Sequence, residues 1–145
     1  MFFSTKGRYG LRAMADMAFH AAGGPVTVKS IAERQGISEA YLEQVFSQLR
    51  RAGLITSIRG AQGGYEMARK PEEITVGEIL TALEGPIAPV ACVSEEGKQK
   101  PCSRENDCLT RPFWEELRAH VDEIVNKTTL ADLLTKKGRT EGNFS

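Results

Sequence analysis

The chain has three cysteines, Cys92, Cys102 and Cys108, and all three fall in one polar stretch rich in Gly, Lys, Glu, Pro, Ser and Asn. Free thiols are usually buried as small apolar groups, so thiols gathered in a polar segment point to chemistry, either metal ligation or redox sensing. Nine residues separate the first pair and five the second, unlike the tight pairs of two to four residues that hold structural zinc. An odd set in a reducing cytosol also argues against a disulfide framework. Zinc binding, cluster binding and a metal-free thiol switch stay open on spacing alone.

The opening MFFSTKGRYG meets Lys6 and Arg8 at once, with no apolar signal region. No later run approaches the roughly 20 apolar residues of a membrane span. A cytoplasmic protein without membrane contact is expected. The net charge of zero hides an asymmetry: residues 1–70 carry ten Lys and Arg against five acids, and residues 71–145 carry nine against fourteen. A basic half beside an acidic half suits a nucleic-acid reader with a separate regulatory part, because phosphate contacts need local positive charge. A solvated face would show the same balance.

The elements that must position the cysteines begin with a helix. Tyr9, Leu11, Met14, Ala15, Met17, Ala18 and Ala21 form a broad helical face from Thr5 to Ala22, ended by Gly23, Gly24 and Pro25. Thr27 caps VKSIAERQ and Gly36 closes it. Ser38 then caps EAYLEQVFSQLRRA, whose Tyr41, Leu42, Val45, Phe46 and Leu49 repeat at three and four residues. This is a helix-turn-helix pattern. Beyond Gly53 the period becomes alternating: Leu54 to Ile58 read as a strand, RGAQGG as a glycine-rich tip, and Tyr65 to Ala68 as the return strand. A hairpin directly behind a recognition helix is a wing.

Thr75 and Glu78 predict a capping box for VGEILTALEG. Loop with one helical turn is expected from there to Cys108. Pro112 then opens a longer helix with an apolar stripe at Phe113, Leu117, Val121 and Ile124, widened by Trp114 and Val125, and a short helix LADLLTK follows. The stripe needs a partner surface, the domain itself or a second copy, and a dimer helix is the expectation. The fold class is therefore mainly α with a small β-hairpin wing. The expected divisions are a winged helix-turn-helix DNA-binding domain over 1–84, a cysteine loop over 85–109, a dimerisation helix with its short companion over 110–136, and a disordered tail over 137–145.

Several stretches together resemble the IscR-like iron-sulfur cluster regulators: STKGRYGLRAM, ERQGIS with YLEQVFSQLRRAGL, SIRGAQGGY, VGEIL and CLTRPFW. The likeness runs from about Ser4 to Leu134 and is loosest in the cysteine loop. The wider winged-helix family also contains the nitric-oxide sensor NsrR and the cysteine-metabolism regulator CymR. The resemblance implies a non-enzymatic homodimer that binds double-stranded DNA at pseudo-palindromic promoter sites, with a [2Fe-2S] cluster on Cys92, Cys102 and Cys108. It implies repression of cluster-assembly genes. Alternatives are an NsrR-like nitric-oxide or redox sensor and a cluster-free regulator with thiol-switch or zinc-binding cysteines.

The positions matching family DNA contacts are Glu43 and Gln44 on the recognition helix and Arg59 in the wing, while Ala40 replaces a serine. Lys29, Ser38, Tyr41, Arg50 and Gly60 complete the candidate DNA surface. Gln44 can pair with an adenine edge and Arg59 can enter a narrow minor groove. Glu43 repels phosphate and tolerates little beyond a cytosine amino group, so it acts as a selectivity device. In IscR-like chains a histidine ligand follows the third cysteine by three residues; here that residue is Arg111, whose guanidinium stays protonated. The gap between Cys92 and Cys102 is also longer than in those chains. Candidate fourth ligands are Asp107 and Glu105, a residue of the partner's first helix, or a small exogenous thiol; His20 and His120 are weaker candidates. NsrR-like proteins likewise use three cysteines and a non-cysteine fourth ligand.

Overall fold

The computed structural model describes residues 3–60, 63–94 and 107–135. In chain order the elements are α1 (Thr5–His20), α2 (Val28–Gln35), α3 (Glu39–Arg51), β1 (Ile55–Ile58), β2 (Gly64–Met67), α4 (Val76–Glu84) and α5 (Arg111–Lys127). Short 3-10 turns lie at Ala21–Gly23, Pro71–Glu73 and Ala91–Val93. Residues 130–135 are again helical. The expected tail over 137–145 lies outside the described residues.

The helix ends follow the local signals. Thr27 Oγ1 accepts the Ser30 N–H at 3.1 Å, Ser38 Oγ accepts that of Tyr41 at 3.3 Å, and Thr75 with Glu78 makes the reciprocal box. Gly36 closes α2 in the left-handed conformation at φ +66°. α1 stops two residues short of expectation, its last turn tightening into the 3-10 turn at Ala21–Gly23.

Between α2 and α3 only the turn of Gly36, Ile37 and Ser38 intervenes, and Ile37 is buried beneath it. α3 turns Leu42, Val45, Phe46 and Leu49 inward. They join Met14, Met17, Ile31, Ile55, Ile74 and Ile79 in a single core. The wing is an antiparallel hairpin pairing Ile55 with Met67 and Ile58 with Gly64. The strand proper starts at Ile55: Leu54 O still accepts the Ala68 N–H at 3.1 Å, but the Leu54 N–H is committed to Leu49 O in the turn that ends α3.

Two contacts fix the wing to the reader. Val26 and Tyr65 exchange backbone hydrogen bonds at 2.9 and 2.8 Å, and the Phe46 and Tyr65 rings meet edge to face at 5.1 Å. Gly64 permits the first: its φ is +154°, and a Cβ there would lie 2.5 Å from Val26 O.

α4 packs across α1 and α3, and α5 lies along α4. Glycines set the spacing, since a Cβ on Gly10 would strike Leu83 and one on Gly77 would strike Asn126. After α5 the chain returns to the core. Val76 N–H donates to Thr128 O at 2.8 Å, Leu130 N–H donates to Ile74 O at 3.0 Å, and Leu130 is fully buried. Thr129 and Asp132 cap the helical residues 130–135 reciprocally.

Candidate nucleic-acid interface and cysteine site

With Leu42, Val45, Phe46 and Leu49 inward, the 3.6-residue period leaves Ala40, Gln44, Ser47 and Arg51 along the middle of α3's outer face. Glu43 and Arg50, about two turns apart, share one edge of that face. Gln44, Glu43 and Arg50 are exposed. Ser47 and Arg51 are absent from the sequence-derived set, yet they continue the same row, and Arg51 donates to Ser47 Oγ at 3.1 Å. Their signal was the spacing of three and seven residues from Gln44.

Tyr41 is half-buried on the opposite edge, its ring edge to face with Tyr9 of α1 at 6.0 Å. Ser38 spends its hydroxyl oxygen on the cap of α3, and Lys29 is exposed in the first turn of α2. Arg59 and Gly60 are exposed at the wing tip, where Gly60 takes φ +120° and its carbonyl accepts the Gly63 N–H at 3.0 Å. The helix face, the first turn of α2 and the wing tip are thus all offered to solvent.

A buried carboxylate braces this surface from behind. Asp16 of α1 is 6% exposed and receives Arg34 at 2.6 to 3.1 Å and Gln35 at 2.8 Å, both from α2. Burial pushes its carboxyl up, but the hydrogen bonds from Arg34 and Gln35 with the charges of Arg34 and His20 outweigh that, holding it below the usual carboxylate value. Arg12 adds a second tie, donating to Gln35 O at 2.6 Å. α2 is therefore locked to α1 by charge as well as by packing.

The cysteine site lies at the other end of the molecule's sequence order. Cys92 sits in the 3-10 turn at Ala91–Val93, which packs on α5 and is fastened by the Arg118 guanidinium donating to Val93 O. Cys92 and the α5 residues Arg111, Glu115 and Arg118 line one cleft of about 270 Å³. Cys108 lies three residues before Arg111, at the start of α5, with Sγ 3.2 Å from Thr110 Oγ1. Hydrogen bonds from the Thr110 hydroxyl and from the backbone of Thr110 and Arg111, helped by the Arg111 charge, pull its thiol below the ordinary value.

Cys92 and Cys108 are free thiols. Thiolate is the form that binds iron, so these two, one of them biased toward thiolate, fit the donor chemistry of an iron-sulfur cluster. Arg111 does not fit as a ligand; its Nε donates to Glu115 Oε1 at 2.9 Å. Asp107 is exposed beside Cys108. Cys102 and Glu105 lie outside the described residues. Among the described residues no group of three His, Cys, Asp or Glu side chains is gathered as a metal site. His20 is turned to Asp16 O at 2.8 Å, and His120 lies exposed on α5. No helix among the described residues is long and apolar enough to cross a membrane.

Comparison with known proteins adds an independent line. Residues 3–136 match the Rrf2 family, described as an iron-dependent transcriptional regulator. The transcriptional regulator IscR of Aliivibrio salmonicida is 42% identical over 134 residues, spanning 92% of this chain and 77% of that protein. Among solved structures, CymR, the global cysteine regulator of B. subtilis, is 45% identical, with a TM-score of 0.77 over 94% of this chain and 98% of its own. T. potens IscR is 44% identical, with a TM-score of 0.75 over 94% of this chain and 88% of its own.

Proposed function

The chain belongs to the Rrf2 family of transcriptional regulators, and on that premise we propose that it reports iron-sulfur cluster status through a [2Fe-2S] cluster. It is a DNA-binding regulator with a winged-helix reader, and its named relatives are regulators and not enzymes. In the proposed reading Cys92, Cys102 and Cys108 hold the cluster, with Asp107 or Glu105 as the non-thiolate ligand. The protein acts as a homodimer on pseudo-palindromic promoter DNA, where Glu43, Gln44 and Arg59 read bases while Lys29, Ser38, Tyr41, Arg50 and Gly60 support them. It represses cluster-assembly genes.

The observation that carries the reading is the junction at the start of α5. The Cys92 turn and the first turn of α5, three residues beyond a thiolate-biased Cys108, share one cleft. α5 in turn packs on α4, and α4 on both α1 and α3. When bound, the cluster supplies an oxidant-sensitive group whose presence depends on iron and sulfide supply. The residues of this chain do the rest. Cys92 in the turn and Cys108 just before the helix would each supply a thiolate to the cluster, and Arg118 holds that turn in place through Val93 O.

A second reading has its own support. CymR is as similar to this chain as IscR is, and Arg111 occupies the place of the histidine ligand. In that reading the thiols act without a cluster.

One experiment separates the two: anaerobic reconstitution with iron and sulfide, followed by metal analysis, visible absorbance and DNA-site selection. The cluster reading expects iron and sulfide bound, with a site preference that differs from that of the protein in which Cys92, Cys102 and Cys108 are all replaced by Ala. That variant is expected to remain a folded dimer. Iron-free protein with unchanged site selection, or zinc in place of iron, would overturn the cluster.

A further inference from the structure

The N-terminal turns of α1 carry a basic patch that neither the recognition helix nor the wing accounts for. Residues 1–12 contain Lys6, Arg8 and Arg12 and no acid. The Arg8 guanidinium lies 5.9 Å from the centre of the Tyr9 ring and that of Arg12 lies 5.3 Å from it. Tyr9 in turn meets Tyr41 at the N-terminal end of α3, so the patch is built onto the edge of the candidate reading face.

The three residues have different freedom. Arg12 is committed to Gln35 O at 2.6 Å and Gln35 Oε1 at 3.3 Å, where it finishes the C-terminus of α2. Tyr9 is half-buried between the arginines and Tyr41. Arg8 is exposed and makes no ion pair among the described residues. Glu84, which packs against the first turn of α1, is turned onto the N–H groups of Ser4 and Gly7, at 2.5 and 3.2 Å. It satisfies two of the orphan donors of α1, which has no acid in its own first turn. Arg8 therefore presents a charge with no carboxylate partner among the described residues, its guanidinium placed over the Tyr9 ring.

Recognition helices put their N-terminal residues against base edges, and the phosphate backbone then runs past the flanks of that end. Tyr41 occupies one such flank and Tyr9 extends it. We propose that Arg8, held on Tyr9 beside Tyr41, is a further DNA contact of each protomer and takes a backbone phosphate flanking the groove that α3 enters. The inference rests on reading the outer face of α3 as the DNA surface. It contributes affinity and register, not sequence choice, because a phosphate carries no base identity.

The test is the salt dependence of binding, read by fluorescence anisotropy on a mixed-sequence duplex of about 30 base pairs, long enough for two half-sites a helical turn apart. Each phosphate neutralised contributes about 0.9 to the slope of log K against log salt. Arg8→Ala is expected to lower that slope by about 0.9 per protomer, and to weaken a selected site and the mixed-sequence duplex by the same factor. Arg8→Lys is expected to keep the slope. A wild-type chain that binds while Arg8→Ala keeps the full slope would overturn the Arg8 contact alone. Absence of wild-type binding to either duplex would overturn the reading of α3 beneath it.

Discussion

α3 and α5 are both amphipathic, but α3 buries Leu42, Val45, Phe46 and Leu49 within its own chain over 13 residues, whereas α5 buries none over 17. α3 reaches the centre of the core and leaves a polar row outside. α5 touches α4 and the Cys92 turn along one side, and carries Phe113 at 57% and Ile124 at 64% exposure on another. The first helix is finished by folding, and the second keeps an exposed apolar stripe within the single chain. Under the proposed function that contrast has a use: the reader keeps its shape whatever signal arrives, while the cysteine-bearing segment answers to a ligand or a second copy.

The largest test of that contrast is in the core. Phe46 is fully buried and braces Tyr65 of the wing. Phe46→Ala is expected to cost about 3 to 5 kcal/mol, read as a lowered urea midpoint. A loss no larger than that of Phe113→Ala would erase the distinction between the two helices.

A smaller effect is expected at the brace behind the reader. Because Asp16 has a folded-state pKa below its ordinary 3.8, its contribution is complete above that value and is lost as pH falls through the folded value. Asp16→Asn leaves Arg34 without its carboxylate and is expected to cost about 1 to 3 kcal/mol at neutral pH. The gap between the two proteins' urea midpoints should close as acid protonates the wild-type carboxyl. A gap that stays constant from pH 7 to about pH 3 would remove the ion pair as its cause.

Local chemistry made most of the reader legible in the sequence. Thr27, Gly36, Ser38 and the pair Thr75 and Glu78 each act within three or four residues, and each occupies its expected cap. Contacts made over long separations left no such mark. Glu84 finishes the N-terminus of α1 from about 80 residues away, Arg118 reaches back to Val93, and Leu130 returns to a core assembled before it in the chain. At the site, the polar row of α3 could be read from its period, which also extends it to Ser47 and Arg51. The burial of Tyr41 against Tyr9 could not, since it depends on how α1 crosses α3. The cysteines were legible as a set, but the pairing of the Cys92 turn with α5 depends on the same kind of distant contact.

The smallest effect on the fold, and the sharpest on assembly, is expected from α5's exposed stripe. Phe113 and Ile124 are more than half exposed, so truncating either to Ala should change single-chain stability by no more than about 0.5 kcal/mol. If a second copy covers the stripe, the same truncations remove apolar anchors from the middle of an interface, where each is worth more than about 1 kcal/mol of association. Phe19 supplies the control, being an exposed phenylalanine at 43% that lies on α1. Sedimentation equilibrium should therefore show Phe113→Ala and Ile124→Ala dissociating at higher concentration than wild type, with Phe19→Ala unchanged. Equal dissociation in all three would mean that α5 is not the joining surface. The difference between the two helices would then reflect only how loosely α5 is packed.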